Sequence, residues 1–236
     1  MRDTQINRAD GGGTVYGVMG GGSINIHGTA EAAPSPAAPE VRIRVLMLAA
    51  NPVDTPRLAL DEEAREITEK LRLSQDRDAF ELVTRWAVRS SDLLQHLNQH
   101  RPHIVHFSGH GDRTGSITLS AGGGDSRPVG TEALAELFRV VRDDIRVVVL
   151  NACHSAAQAQ AIGRHIDFIV GMRTRVTDES AVVFASAFYS ALGFRRTVPQ
   201  AFEQARTALM LHGLADHDVP ELIIRPGADV AGTIGG

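Results

Sequence analysis

The amino-acid sequence predicts an α/β domain in which a mostly parallel sheet is covered by helices on both faces. Apolar runs of strand length alternate with segments whose apolar residues recur at helical spacing. This alternation is typical of parallel sheets, because helices connect their strands. A hydrophobic fraction of 43% and a charged fraction of 22% are those of a globular protein. A chain of 236 residues is long enough to bury a sizeable core.

Strands are predicted where an apolar run lies between turn residues. The first run, VRIRVLMLAA, ends at the turn NPVDTP, and HIVHFS and IRVVVL are later examples. The predicted strands lie at 41–50, 80–88, 103–108, 145–150, 166–172 and 221–225. Because helices separate most of these strands, the sheet is expected to be mostly parallel.

The first predicted helix has the clearest pattern. Apolar residues recur every three or four positions from Leu60 to Leu71, and acidic residues precede basic ones, as the helix dipole favours. Thr55 is expected to cap this helix, with Pro56 at its first position. The predicted helices lie at 56–73, 90–100, 131–143, 154–164, 180–193 and 198–212.

The composition divides the chain into four parts. Residues 1–30 form a glycine-rich tail, in which the stretch 11–30 contains eight glycines and no Asp, Glu, Lys or Arg. An Ala/Pro-rich linker at 31–39 is expected to be extended. The folded domain is predicted at 40–226, and a C-terminal tail follows at 227–236.

Charge and cysteine content narrow the classes of partner and compartment. The net charge is −4 and basic residues are scattered, so neither a nucleic acid nor an anionic membrane is expected as a partner. A single cysteine excludes an internal disulfide, which fits a reducing cytosol. The N-terminus lacks a signal-peptide core, and no apolar run reaches the roughly 18 residues needed to span a membrane. We therefore expect a cytoplasmic protein.

Two reactive side chains follow predicted strands at equivalent places. His110 ends HIVHFSGH, and Cys153, the only cysteine in the sequence, follows VVVLNA. Carboxyl ends of parallel strands meet at one edge of a sheet, so the fold can bring the two side chains together. A nearby imidazole can take the thiol proton and create a nucleophilic thiolate. The backbone N–H groups of Gly111 and Cys153 are candidates to bind an oxyanion.

The residues alone leave a second interpretation open. A lone cysteine is commonly a small buried residue, and a lone histidine after a strand is commonly a loop residue. Under that interpretation the domain binds partners and catalyses nothing. The two interpretations can be distinguished by measuring whether the Cys153 thiol reacts with a thiol-reactive peptide probe.

The blocks LAANPVDTPRLALDEEAREI, HIVHFSGHG, VVLNACHSA, IVGMRTRVTDESAVVFASAFYSAL and AFEQARTAL resemble the CHAT family of bacterial caspase-like cysteine peptidases. Caspases, metacaspases and separases are relatives, and NACHS is close to the caspase signature. The resemblance covers residues 41–225. It implies a caspase-like fold, a catalytic dyad of His110 and Cys153, a protein substrate and no cofactor. The family context implies an effector in bacterial stress response, cell death or phage defence.

Asp178 and Glu179 are candidates to bind substrate. They follow a predicted strand, so they are expected at the same sheet edge as the dyad. The segment VTDES resembles the VTD segment of separases, whose substrates are cut after arginine, which implies a site for Arg or Lys before the cut. In the alternative, Thr177 or Asp178 caps the next helix. Asp112 is a further candidate for substrate binding.

Histidines near the dyad raise two further questions. His154 either lines the cleft or is a solvated residue in the first turn of a helix. His103 and His106 are three residues apart on a strand and therefore point to opposite faces, which disfavours a metal site. His106 is expected to be a sheet residue close to the active site.

The tail carries short apolar blocks separated by glycines. The apolar residues are Val15, Val18, Ile24 and Ile26, with Asn25 between the isoleucines. Low charge and no proline suit stacking of like strands from several chains. The stretch 11–30 resembles short amyloid-type signalling motifs of bacterial defence effectors, which implies self-assembly or recruitment by a sensor or NLR-like partner. A disordered tail is the alternative.

Overall fold

The computed structural model describes residues 42–234, and within them the chain forms eight strands and six helices. The strands are β1 Ile43–Ala50, β2 Phe80–Arg85, β3 Ile104–Gly109, β4 Ser116–Ser120, β5 Ser126–Gly130, β6 Val147–Asn151, β7 Phe168–Met172 and β8 Pro220–Ile224. The helices are α1 Leu60–Leu73, α2 Leu93–His100, α3 Thr131–Val141, α4 Ala156–Ile162, α5 Asp178–Gly193 and α6 Val198–Leu211.

The central sheet has the strand order β2-β1-β3-β6-β7-β8. Neighbouring strands are parallel from β2 to β7, and β8 pairs antiparallel with β7. The predicted α/β class with a mostly parallel, helix-covered sheet is confirmed. Strands β4 and β5 form a separate antiparallel hairpin, which the sequence analysis did not predict.

The two faces of the sheet pack against different helices. Side chains alternate along a strand, so neighbouring residues enter different cores. Val147 and Val149 of β6 pack with α1, α5 and α6, and we call this side the site face. Val148 and Leu150 pack with α2, α3, α4 and the hairpin, and we call this side the apolar face. Both central strands, β3 and β6, are buried along their whole length.

The register of β3 and β6 sets the level of the residues that follow them. Ser108 of β3 and Asn151 of β6 are paired across the two strands. His110 lies two residues beyond Ser108, and Cys153 lies two residues beyond Asn151. The two reactive residues therefore leave the sheet at the same height and on the same side of it.

The start of α1 differs from the prediction. The helix begins at Leu60, so the assignment of Thr55 as its cap and Pro56 as its first residue is wrong. The Thr55 hydroxyl instead donates to the carbonyl of Pro52 at 2.8 Å, which closes a local turn. Residues 51–59 consequently form a loop rather than a first helical turn, and the Pro56 carbonyl of this loop contacts His110.

Smaller differences concern the ends of other elements. Helix α4 begins at Ala156, two residues later than expected, because the turn after Cys153 is not helical. Among the described residues, no helix combines the length and apolar character needed to cross a membrane. The predicted tail at 1–30, the linker at 31–39 and the last two residues of the C-terminal tail lie outside the described residues.

Candidate active site

The loops that follow β3 and β6 touch each other at Gly111. A Cβ atom at this position would lie 2.1 Å from the carbonyl oxygen of Cys153, so the backbone approach requires glycine. His110 and Cys153 both line a small cavity of about 40 Å³ at this contact. The structure thus brings together the two residues that the sequence analysis predicted as a dyad.

The N–H group of Gly111 takes no part in the hydrogen bonds that connect this segment to β4. Gly111 is bridged to Ile117, and the flanking hydrogen bonds are made by its neighbours. Asp112 N donates to Ser116 O at 3.0 Å, and Thr118 N donates to His110 O at 2.9 Å. In an antiparallel pair of this kind, the central residue points its own N–H away from the partner strand. This orientation suits the oxyanion role predicted for the Gly111 N–H.

A backbone carbonyl fixes the imidazole of His110. Its Nε2 atom lies 2.8 Å from the carbonyl oxygen of Pro56. Because a carbonyl can only accept, Nε2 carries the proton, and Nδ1 of the neutral ring is the basic nitrogen. This contact is not predictable from the sequence, since a carbonyl oxygen belongs to every residue type and leaves no signature.

The loop that carries Pro56 is held at both ends. The Asn51 side chain donates to Leu58 O at 3.2 Å and accepts from Leu58 N at 3.3 Å. Ala59 N donates to Oδ2 of Asp178 at 3.2 Å. These bonds connect the loop to the end of β1 and to the start of α5, so the carbonyl that orients His110 has a defined place.

Cys153 is half-buried, and its thiol faces the segment that leads into α5. Its Sγ atom lies 3.8 Å from the carbonyl oxygen of Val176, within the longer range of sulfur hydrogen bonds. The next residue, His154, has a φ of 57° and donates its N–H to Thr174 O at 3.0 Å. The turn between β6 and α4, which carries Cys153, is therefore anchored to the loop after β7.

His154 is half-buried, precedes the first residue of α4 and is not among the residues that line the cavity shared by His110 and Cys153. Hydrogen bonds hold the pKa of Asp112 below its usual range, with the Thr114 hydroxyl as the largest cause and the charge of His154 as a smaller one. The Asp112 carboxylate accepts from Thr114 N at 2.8 Å and from Ser116 N at 3.1 Å. Asp112 thus stabilises the turn between β3 and β4.

Asp178 and Glu179 occupy neighbouring but different positions. Asp178 lines both the dyad cavity and an adjoining groove of about 730 Å³ between α1, α5 and α6. Glu179 lines the groove together with Glu62 and Glu66. The cap of α5 is Thr177, whose hydroxyl accepts from Ser180 N at 3.2 Å. Both acidic side chains are exposed.

A buried polar cluster lies directly beneath the dyad on the site face. It consists of Glu63, His106, Ser108, Asn151 and Tyr189, and each is almost fully excluded from solvent. Glu63 Oε1 lies 2.9 Å from His106 Nε2 and accepts from Asn151 Nδ2 at 2.5 Å, while Oε2 accepts from the Ser108 hydroxyl. Nδ1 of His106 lies 3.2 Å from the Tyr189 hydroxyl. His106 is thus a buried sheet residue near the site.

The sequence contains a pattern that could have predicted this cluster. Polar residues stand on strands β3 and β6 at positions whose alternation calls for apolar side chains, after Ile104 on one strand and Val149 on the other. Glu63 likewise interrupts the apolar stripe of α1. Burial, and secondarily the charge of Glu63, raises the pKa of Tyr189 well above its usual range.

The histidines do not converge on a metal. Nδ1 of His103 accepts from Arg44 N at 3.0 Å, whereas His106 lies in the buried polar cluster. Residues 42–234 contain no group of three or more His, Cys, Asp or Glu side chains arranged to hold a metal ion.

Comparison with protein families and sequences gives consistent matches. The CHAT domain family model matches residues 23–218. A Roc-COR-CHAT protease of an unknown prokaryotic organism is 26% identical over 194 residues, which is 76% of this chain and 18% of that protein. A probable protease of Gillisia limnaea is 20% identical over 169 residues, 70% of this chain and 30% of that protein. The chain spans less than a third of either curated relative.

Solved structures share the fold at low sequence identity. A secreted C11 cysteine protease from Bacteroides thetaiotaomicron, solved with an irreversible peptide inhibitor, has a TM-score of 0.52 at 11% identity and aligns over 72% of this chain and 59% of its own. The Arg-specific cysteine proteinase gingipain R has a TM-score of 0.55 at 12% identity, over 83% and 49% of the two chains. At such identities the likeness concerns the architecture of the sheet and its helices.

Proposed function

The chain belongs to the CHAT-domain family, and from this premise we propose that it is a cysteine endopeptidase with His110 and Cys153 as its dyad. One observation carries the proposal. The two residues follow adjacent parallel strands at the same register, and both line one cavity where their loops touch. A thiol and an imidazole brought together in this way are the parts needed for covalent acyl transfer.

The proposed reaction begins with proton transfer from the Cys153 thiol to Nδ1 of His110. The thiolate attacks the scissile carbonyl, and the N–H groups of Gly111 and Cys153 bind the oxyanion. The His110 imidazolium then protonates the leaving amine, and an acyl-enzyme remains. Water, deprotonated by His110, hydrolyses the thioester and restores the thiol. Pro56 O holds the Nε2–H throughout, which keeps the ring oriented.

A peptide probe with a thiol-reactive warhead tests this mechanism. The sequence has one cysteine, so intact mass reports labelling of Cys153 without ambiguity. We expect one probe per chain, no labelling of Cys153→Ala, and labelling and peptide cleavage slowed at least about a thousandfold in His110→Ala. Circular dichroism should show both variants folded.

The contrary outcome is equally clear. If Cys153 in the intact protein reacts no faster than cysteine in a short unstructured peptide, the dyad does not operate. The chain would then be a catalytically silent caspase-like module that acts through interactions.

For the substrate, we propose a protein cut after Arg or Lys. Asp178 supports this, because its exposed carboxylate stands where the dyad cavity meets the larger groove. Glu62, Glu66 and Glu179 also line the groove, which carries Lys70 as a basic residue, and Glu66 is paired with Arg65 at 2.7 Å. A basic side chain before the cleaved bond would meet complementary charge there.

The biological role we propose is that of an effector in bacterial stress, cell-death or defence signalling, with residues 11–30 as a recruitment motif. Stacking of the tail would concentrate the protease domains and raise activity by effective concentration alone. A synthetic peptide of residues 11–30 should form fibres with a strand spacing of about 4.7 Å. A peptide that stays monomeric, even with seeds, would contradict this part of the proposal.

A further inference from the structure

We infer that Glu63 is a positioning residue for the dyad, because its buried carboxylate holds the ends of β3 and β6 together immediately beneath His110 and Cys153. The inference rests on the proposed function, which supplies the reaction that the positioning serves. Glu63 lies on α1, outside the sheet, and it is 1% exposed. It also lines the dyad cavity, so its carboxylate lies at the base of the site.

The contacts of Glu63 fall on both catalytic strands. On β3 it accepts from the Ser108 hydroxyl, and on β6 it accepts from Asn151 Nδ2 at 2.5 Å. Ser108 and Asn151 are paired across the two strands, and each lies two residues before a member of the dyad. One carboxylate therefore connects both strands at the last level before the reactive residues.

The geometry of the cluster suits an acceptor with two oxygens, as a carboxyl group provides. His106, Ser108 and Asn151 each present a donor to Glu63, and its two oxygens accept from all of them. Burial of an ionised group is costly unless hydrogen bonds compensate for the lost solvation, and these donors provide that compensation. A glutamine of the same shape has one accepting oxygen, so its NH₂ group would donate to the Ser108 hydroxyl, and all three hydrogen bonds would lose the strengthening that a charged acceptor gives.

The buried polar cluster explains how His110 and Cys153 keep a fixed separation although both lie in loops beyond the strand ends. His110 and Cys153 both lie outside the regular strands, so their separation depends on where the strands end. A misplacement of about 1 Å can reduce a rate about a hundredfold. Loss of the Glu63 connection should therefore lower the rate of chemistry and leave substrate affinity largely unchanged.

Alkylation of Cys153 by iodoacetamide measures the dyad without a known substrate. We compare the full chain with the variants Glu63→Gln, His110→Ala and Tyr189→Phe from about pH 5 to pH 10, where thiols titrate. Tyr189→Phe is the matched control, because it removes a hydrogen bond from the same cluster but keeps both attachments to Ser108 and Asn151. With a cleavable peptide, kcat and KM are measured on the same set.

We expect Glu63→Gln to slow alkylation at neutral pH about tenfold and to lower kcat about 10- to 100-fold, with KM within about twofold. Its pH profile should move toward that of His110→Ala, and Tyr189→Phe should keep the parent profile. If Glu63→Gln fails to fold, Ser108→Ala and Asn151→Ala each remove one attachment and should give the same loss of kcat.

Two results would overturn the inference. In one, folded Glu63→Gln keeps the parent pH profile and kcat while His110→Ala does not, so that the dyad operates without Glu63. In the other, the rate falls only in proportion to the folded fraction, which is a stability effect. The proposed function fails separately, if the parent Cys153 and the His110→Ala variant are alkylated at equal rates.

Discussion

Strands β3 and β6 contribute to a hydrophobic core on each side of the sheet, but only on one side do they also lead to a candidate active site. On the apolar face, Phe107 and Leu150 pack among aliphatic side chains from the helices. On the site face, the neighbouring His106, Ser108 and Asn151 contact Glu63 and lead to the dyad. Because alternate residues of one strand point to opposite faces, substitutions one position apart should affect different properties.

The faces also differ in how they tolerate imperfect packing. The apolar face depends on area and fit, which many combinations of side chains satisfy. The polar cluster of the site face depends on the donors and acceptors around Glu63, where one wrong partner would add to Asn151 Oδ1 a second atom of this cluster that is buried without a hydrogen bond among the described residues. Stability should therefore be distributed over the hydrophobic cores of both faces, whereas activity should depend on a few polar residues at the ends of β3 and β6.

Of the substitutions that test this comparison, the one at Gly111 is expected to have the largest effect on activity. In Gly111→Ala the new methyl would lie 2.1 Å from the Cys153 carbonyl oxygen, so the loops that follow β3 and β6 must separate. We expect kcat/KM to fall at least about a hundredfold, as for other misplacements of reacting groups. Peptide cleavage kinetics and probe labelling provide the measurement.

Gly122 supplies the matched control for that substitution. A Cβ atom at Gly122 meets no described heavy atom within 4 Å, so Gly122→Ala should leave activity at the parent level. Equal activity of Gly111→Ala and the parent would show that contact between the loops is not needed for the dyad.

Much of this architecture was predictable because it follows from local patterns. Apolar runs and helical periodicity predicted the elements of the central sheet, and the rule for carboxyl ends of parallel strands placed His110 and Cys153 at one edge. The loop containing Pro56 was not predicted, because Pro56 has the pattern of a helix start and Thr55 that of a cap. The competing turn bond from Thr55 to Pro52 decides the conformation.

Other features depend on contacts between distant residues. Strand β4 alternates polar and apolar residues in SITLS, but β5, SRPVG, does not, and the pairing of the two strands becomes visible only in the structure. The link from Glu63 to Asn151 joins a helix to a strand 88 positions further along the chain. Each of these polar residues interrupts an apolar pattern in the sequence, but their common face becomes apparent only once strand direction and register are known.

A smaller effect is expected at Asp178, where the groove meets the dyad cavity. Asp178→Asn should reduce the preference for Arg or Lys before the cut about tenfold, because it removes the charge that complements the substrate. Glu179→Gln should change the preference less, since Glu179 lines the groove without reaching the cavity. A library of fluorogenic peptides measures both.

Asp112→Asn is the control for the loss of a negative charge at a position other than Asp178. The Asp112 carboxylate accepts hydrogen bonds within its own turn, so its removal should leave the preference unchanged. A parent enzyme that prefers Asp or a large apolar residue before the cut would contradict the acidic site.

The smallest effect on activity is expected from a substitution at Leu150, which lies on the apolar face next to Asn151. Leu150 is 1% exposed and lies between Val149 and Asn151 on β6, but it points to the opposite side of the sheet. Leu150→Ala should lower the free energy of unfolding by about 2–5 kcal/mol, since it deletes buried methyl groups and leaves a cavity. Activity per folded molecule should remain close to that of the parent, because the Ser108–Glu63–Asn151 connection is untouched. Denaturant unfolding gives the stability, and titration of Cys153 with a labelled probe counts competent sites. A loss of kcat per competent site as large as that of Glu63→Gln would show that the faces are not separable, and that the dyad depends on the strand as a whole rather than on its polar side.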